Sequence, residues 1–95
     1  MKLLTDLEIE KRLEDFPDWD HHNNALTTEF EFDNFKNCMS AVFRIAFECE
    51  KLNHHPDWSN SYNLLKIKLS THDVNGVTDL DFKLAKSIEK IIEIE

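Results

Sequence analysis

From Leu26 to Phe32 the chain alternates. Leu26, Thr28, Phe30 and Phe32 fall on one side, with Thr27, Glu29 and Glu31 on the other, which is the period of a half-buried strand. Leu65, Ile67 and Leu69 alternate with Lys66 and Lys68 in the same way. Trp19 to His22 and Trp58 to Tyr62 are predicted as the strands that pair with these two. Asn23-Asn24 can take the left-handed conformations of a tight turn, and Asn63 sits in the other turn. Between the hairpins the period changes. Phe35, Met39, Val42, Phe43, Ala46 and Phe47 recur at helical spacing and are predicted as the buried stripe of the longest helix. Asp33 is its expected N-cap and Asn53 lies near its end. Thr5-Asp6-Leu7-Glu8 has the spacing of a capping box and opens a first helix reaching about Phe16, with Pro17 beyond it. Asn75-Gly76 marks a turn. Thr78-Asp79-Leu80-Asp81 resembles a second capping box, opening a last helix that buries Leu80, Leu84, Ile88 and Ile91 or Ile92. The order is α-β-β-α-β-β-α. Hairpins make antiparallel neighbours, and one apolar face per strand leaves one side for helices. The expected fold is α+β, a single four-stranded antiparallel sheet with three helices packed on one face.

At 95 residues the chain is expected to form one domain, 1–95, with a small core. Its net charge of −8 argues against nucleic acid or an anionic membrane as the main partner, since both call for clustered Lys and Arg. No apolar run is long enough to span a bilayer, and acidic residues follow Met1 too soon for a signal peptide, so a cytoplasmic location is expected. Cys38 and Cys49 lie in one predicted helix, eleven residues apart, or roughly 16 Å along its axis. They cannot pair within that helix, and they read as small hydrophobes in a reducing compartment.

The chemistry concentrates in Glu50-Lys51-Leu52-Asn53-His54-His55-Pro56-Asp57-Trp58 and, downstream, Thr71-His72-Asp73. Pro56 disfavours helical geometry at His55, so the histidine pair sits at a helix exit. One hairpin could return the chain there and bring His72 to the same pocket. Imidazoles on two walls of a pocket suit proton transfer near neutral pH, or metal ligation. A zinc site from His54, His55, His72 and Asp81 is the competing reading. It is disfavoured because adjacent histidines ligate one ion poorly and no Cys joins them. No metal and no cofactor are expected. His21 and His22 lie in a predicted edge hairpin without a recognisable partner and read as surface residues.

These residues closely resemble the pterin-4a-carbinolamine dehydratases. The matching pattern is Glu50, His54-His55-Pro56, Trp58, Tyr62-Asn63, Thr71-His72-Asp73, Gly76, Thr78, Asp81 and Leu84-Ala85, with Trp19, Phe30, Phe32, Phe35 and Arg44. The chain departs from the family at Asp18, where Gly is common, and at Thr28, where a basic residue is frequent. The resemblance implies dehydration of 4a-hydroxytetrahydrobiopterin to quinonoid dihydropterin and water, in support of tetrahydrobiopterin regeneration after an aromatic amino acid hydroxylase. It implies His54 and His72 as the acid–base pair, with His55 mainly holding the pterin. Asn53, Ser70, Thr71 and Asp73 match positions lining the pterin site, and His54-His55-Pro56 belongs to it. Asp81 matches the family's functional aspartate, facing an imidazole. Glu50 could orient a histidine or the pterin amine, and Trp58 could cover the ring. A homodimer or homotetramer is expected, with sheet-edge pairing between subunits. The alternative is a non-catalytic dimerisation or partner-binding module.

Overall fold

The computed structural model describes residues 1–94, so Glu95, the last residue of the expected domain, lies outside it. The elements are α1 (Asp6–Leu13), β1 (Asp20–His22), β2 (Ala25–Glu31), α2 (Phe35–Leu52), β3 (Asp57–Ser61), β4 (Leu64–Leu69), a 3₁₀ turn (His72–Val74) and α3 (Asp79–Ile94). The four strands form one antiparallel sheet in the order β1-β2-β4-β3. The expected fold is therefore the observed one.

Local chemistry explains most boundaries. The Thr5 hydroxyl accepts from Glu8 N–H and the Glu8 carboxylate accepts from Thr5 N–H, so the first capping box is complete. Asn23 and Asn24 both take positive φ, 48° and 63°, the requirement of a type I′ hairpin turn. In the second hairpin it is Tyr62, at φ 53°, that takes the left-handed conformation, and Asn60 Nδ2 donates to the carbonyls of Tyr62 and Leu64 to close that turn. The two positions that depart from the family pattern are joined to each other: the Thr28 hydroxyl donates to the Asp18 carbonyl at 2.6 Å.

The register places Leu26 against Leu69, Thr28 against Ile67 and Phe30 against Leu65. These residues make the covered face of the sheet. One hydrophobic cluster joins the apolar members of this face to Ile9, Cys38, Ala41, Ile45, Cys49, Leu84 and Ile88. In α3, Leu84, Ile88 and Ile91 are buried as expected, together with Phe82 and Ala85, while Leu80 and Ile92 are half-buried.

Two expectations for α2 are corrected. Its N-cap is Asn34, not Asp33, because the Asn34 side chain is the one that accepts from Asn37 N–H, at 2.8 Å. The buried stripe is Cys38, Ala41, Ile45 and Cys49. Phe35, Phe43 and Phe47 are exposed, and Met39, Val42 and Ala46 half-buried. Phe43 and Phe47 are each two residues from Ile45, about 200° around a helix of 3.6 residues per turn. The helix is apolar on two sides, and the smaller residues of Cys38, Ala41 and Cys49 face the sheet.

Cys38 and Cys49 are both free and buried. Burial raises the thiol pKa of each, that of Cys49 to about 11. A thiolate is the reactive species. A thiol-specific reagent at neutral pH is therefore expected to modify neither cysteine in the native protein and both in denaturant, as counted by mass spectrometry.

Candidate active site

Helix α2 ends because Asn53 takes a left-handed conformation, φ 50°, and its N–H returns to the carbonyls of Cys49 and Glu50. His54 N–H then donates to the Cys49 carbonyl at 3.0 Å. This closes the helix before Pro56 is reached and turns the two histidines apart. His54 is directed inward and is buried; His55 is exposed.

His54 Nε2 lies 2.5 Å from Asp81 Oδ1. Asp81 sits in the first turn of α3, where a negative charge faces the free N–H groups of the helix start. Its other oxygen, Oδ2, accepts from the Thr71 hydroxyl at 2.9 Å and from Thr78 N–H at 2.8 Å. The second capping box is thus half formed. The carboxylate takes Thr78 N–H, but the Thr78 hydroxyl accepts from Leu80 N–H at 3.3 Å rather than from Asp81 N–H. A carboxylate only accepts, so in this bond Nε2 is the donor and Oδ1 the acceptor. Nδ1 is then the ring nitrogen left for another partner. The Asp81 side chain is 0% exposed and that of His54 10%, so His54 is the member of the pair that a ligand can reach.

The exposed pair is His55 and Glu50, with Nε2 and Oε2 2.6 Å apart. Their side chains are 56% and 76% exposed, and water screens such a pair. It orients His55 more than it stabilises the fold.

His72 opens the 3₁₀ turn, directly after the Thr71 that reaches Asp81. An isolated bridge closes this loop: Thr71 N–H donates to the Gly76 carbonyl at 2.7 Å and Gly76 N–H to the Thr71 carbonyl at 3.4 Å. Asn75, not Gly76, supplies the left-handed residue, at φ 51°. Gly76 lies close under Leu3, where a Cβ would meet Leu3 Cδ1 and push that exposed side chain aside. The start of the chain straps the loop, with Leu4 N–H donating to the Val77 carbonyl at 2.9 Å. His72 and Asp73 are exposed on this loop and Ser70 is half-buried at its start.

The structure therefore joins His54, Asp81 and Thr71 directly, and Glu50 with His55. Asn53 caps α2 and is exposed; Pro56 and Trp58 are half-buried at the start of β3. Thr78 belongs to the same network and was not singled out as a site residue by the sequence. Its signal was its place three residues before Asp81. Among the described residues, no group of three or more His, Cys, Asp or Glu is placed to hold a metal ion. A concavity of about 610 Å³ lies elsewhere, on the open sheet face between Asp20, Glu29, Asp57, Lys66 and Lys68, and no histidine lines it. Asp57 is the cross-strand partner of Lys68 and Glu29 that of Lys66. Opposite charges facing one another across strands are ordinary for a solvated sheet face.

Comparison with known proteins bears on what this site does. The family model for pterin 4 alpha carbinolamine dehydratase matches residues 2–91. The chain belongs to this family. A protein of Christiangramia forsetii provisionally named pterin-4-alpha-carbinolamine dehydratase is 47% identical over 93 residues, which cover 98% of this chain and 96% of that one. A relative from Rhodospirillum rubrum with the same provisional name is 44% identical over 91 residues, 94% of this chain and 95% of its own. Among solved structures, a transcriptional coactivator/pterin dehydratase from Brucella melitensis superposes with a TM-score of 0.92 at 36% identity, covering 95% of this chain and 98% of that one. The dehydratase family's fold thus spans nearly all of this chain. Among the described residues no helix is long and apolar enough to cross a membrane.

Proposed function

We propose that the protein, as one domain, dehydrates 4a-hydroxytetrahydrobiopterin to quinonoid dihydropterin and water. The observation that carries this reading is the buried His54–Asp81 pair at the exit of α2, tied through Thr71 to the loop that bears His72. Loss of water requires a proton on the departing 4a-hydroxyl and removal of the N5 proton as the C4a–N5 double bond forms. One proton enters and one leaves, so two imidazoles in opposite protonation states suffice, without redox change or metal. His54, through Nδ1, and His72 take these two roles. His55, held by Glu50, binds the pterin together with Asn53, Pro56, Ser70, Thr71 and Asp73, and Trp58 flanks the ring. The substrate would be the carbinolamine released by an aromatic amino acid hydroxylase, placing the protein in cytoplasmic tetrahydrobiopterin recycling. Stopped-flow ultraviolet absorbance with synthetic carbinolamine tests this. Dehydration well above the unaided rate is expected, and a rate equal to the unaided one would refute it.

The second apolar side of α2 supports self-association as a homodimer or homotetramer. Phe43 and Phe47 are 67% and 74% exposed at one-turn spacing, and β3 is an open edge of the sheet. Such a face on a chain of this charge calls for a protein partner. Phe43→Glu with Phe47→Glu is expected to lower the mass seen by light scattering while leaving the circular dichroism unchanged. An unaltered oligomer would place the interface elsewhere.

A further inference from the structure

We propose that Thr78 is a positioning residue for His54, acting through a one-way chain of hydroxyl hydrogen bonds that ends on Asp81. This rests on the dehydratase reading above and names a residue that this reading does not use.

The direction of the chain follows from counting protons. Thr71 has one hydroxyl proton, and it goes to Asp81 Oδ2. Thr71 Oγ1 also lies 2.7 Å from Thr78 Oγ1. With the Thr71 proton already used, Thr78 must be the donor in that bond. The Thr78 oxygen in turn accepts from Leu80 N–H. The Asp81 carboxylate can only accept, so it sets the polarity of the whole chain, and the fixed Leu80 N–H at the other end is consistent with it. It runs from Leu80 N–H to the Thr78 hydroxyl, to the Thr71 hydroxyl, to Asp81, and every member is a donor to the next.

This arrangement has a chemical consequence. A lone threonine hydroxyl can swing its proton among several acceptors. Here the Thr78 hydroxyl fills the acceptor side of Thr71 and reinforces its donation to Asp81. Asp81 Oδ2 then receives two donors, the Thr71 hydroxyl and Thr78 N–H, leaving Oδ1 for His54 Nε2–H. Thr78 and Asp81 are at most 1% exposed and Thr71 only 4%, so water does not compete for these bonds. Through them His54 is held in one tautomer and one orientation, with Nδ1 left for the substrate.

The test uses the whole protein and two variants. Thr78→Val keeps the shape and removes the hydroxyl; Thr78→Ser keeps the hydroxyl. In the wild type, nitrogen-15 NMR of the imidazoles is expected to show His54 as a single Nε2–H tautomer, and the Thr71 and Thr78 hydroxyl protons are expected to be slow enough in exchange to observe. In Thr78→Val the His54 signature is expected to become mixed, with kcat down about three- to tenfold and KM within about twofold. Thr78→Ser is expected to restore both. A folded Thr78→Val with unchanged His54 spectrum and unchanged kcat would overturn the proposal, and so would a serine variant that fails to rescue. Should the valine variant not fold, rapidly exchanging hydroxyl protons or a mixed His54 tautomer in the wild type would overturn it. The NMR arm needs no turnover. An inactive wild type with the expected spectrum would count against the dehydratase reading and leave the positioning claim standing.

Discussion

His54→Ala and His72→Ala are each expected to lower carbinolamine turnover by at least about tenfold, and by about 10²–10⁴-fold if the lost group is the only acid or base serving its step. The two variants should differ in stability. His72 is exposed on a short loop, and its removal uncovers no buried group. Its denaturation midpoint should match the parent. His54 is buried against Asp81, so its loss leaves Oδ1 without a donor and is expected to cost about 1–3 kcal/mol. Equal loss of activity with unequal loss of stability separates chemistry from folding. His21→Ala, on the edge strand β1, serves as the control and should match the parent in both. Parental rates in both His54→Ala and His72→Ala would remove the assignment.

Asp81→Ala is expected to have the largest effect on stability. The substitution strands three buried donors at once: the Thr71 hydroxyl, Thr78 N–H and His54 Nε2–H. A buried donor left without an acceptor costs about 1–3 kcal/mol, and three such groups lie together here. For a domain of this size each kcal/mol lowers Tm by roughly 4–8 °C. Asp81→Asn tests the chemistry more gently. Its amide oxygen can still accept from Thr71 and Thr78, but its NH₂ then meets His54 Nε2 and forces the proton to Nδ1. That variant should keep more of the stability than alanine does and still lose turnover. Melting curves and stopped-flow rates on the same preparations check both expectations.

Much of the fold was legible because its signals are local. The Thr5–Glu8 box, the Asn23-Asn24 turn and the alternation around Leu26 and Leu65 each act within a few residues. The buried side of α2 was not legible. Its phenylalanines and its smaller apolar residues both recur at helical spacing, and only the position of the sheet decides which set is covered. At the site, the spacing of Thr78 and Asp81 announced a helix start. It could not announce that one Asp81 oxygen leaves the helix to meet His54, 27 residues earlier in the chain. That meeting depends on the strand pairing that brings the end of β4 beside the exit of α2. The Glu50–His55 contact likewise exists only because Asn53 ends the helix between them.

In the proposed reaction, imidazoles from the exit of α2 and from the loop after β4 surround one pterin. A crystal structure with bound 7,8-dihydrobiopterin tests it most directly. The ring is expected between His54 and His72, with His54 Nδ1 turned toward it and Nε2 still on Asp81. A pterin bound instead on the open face of the sheet, away from all three histidines, would contradict it.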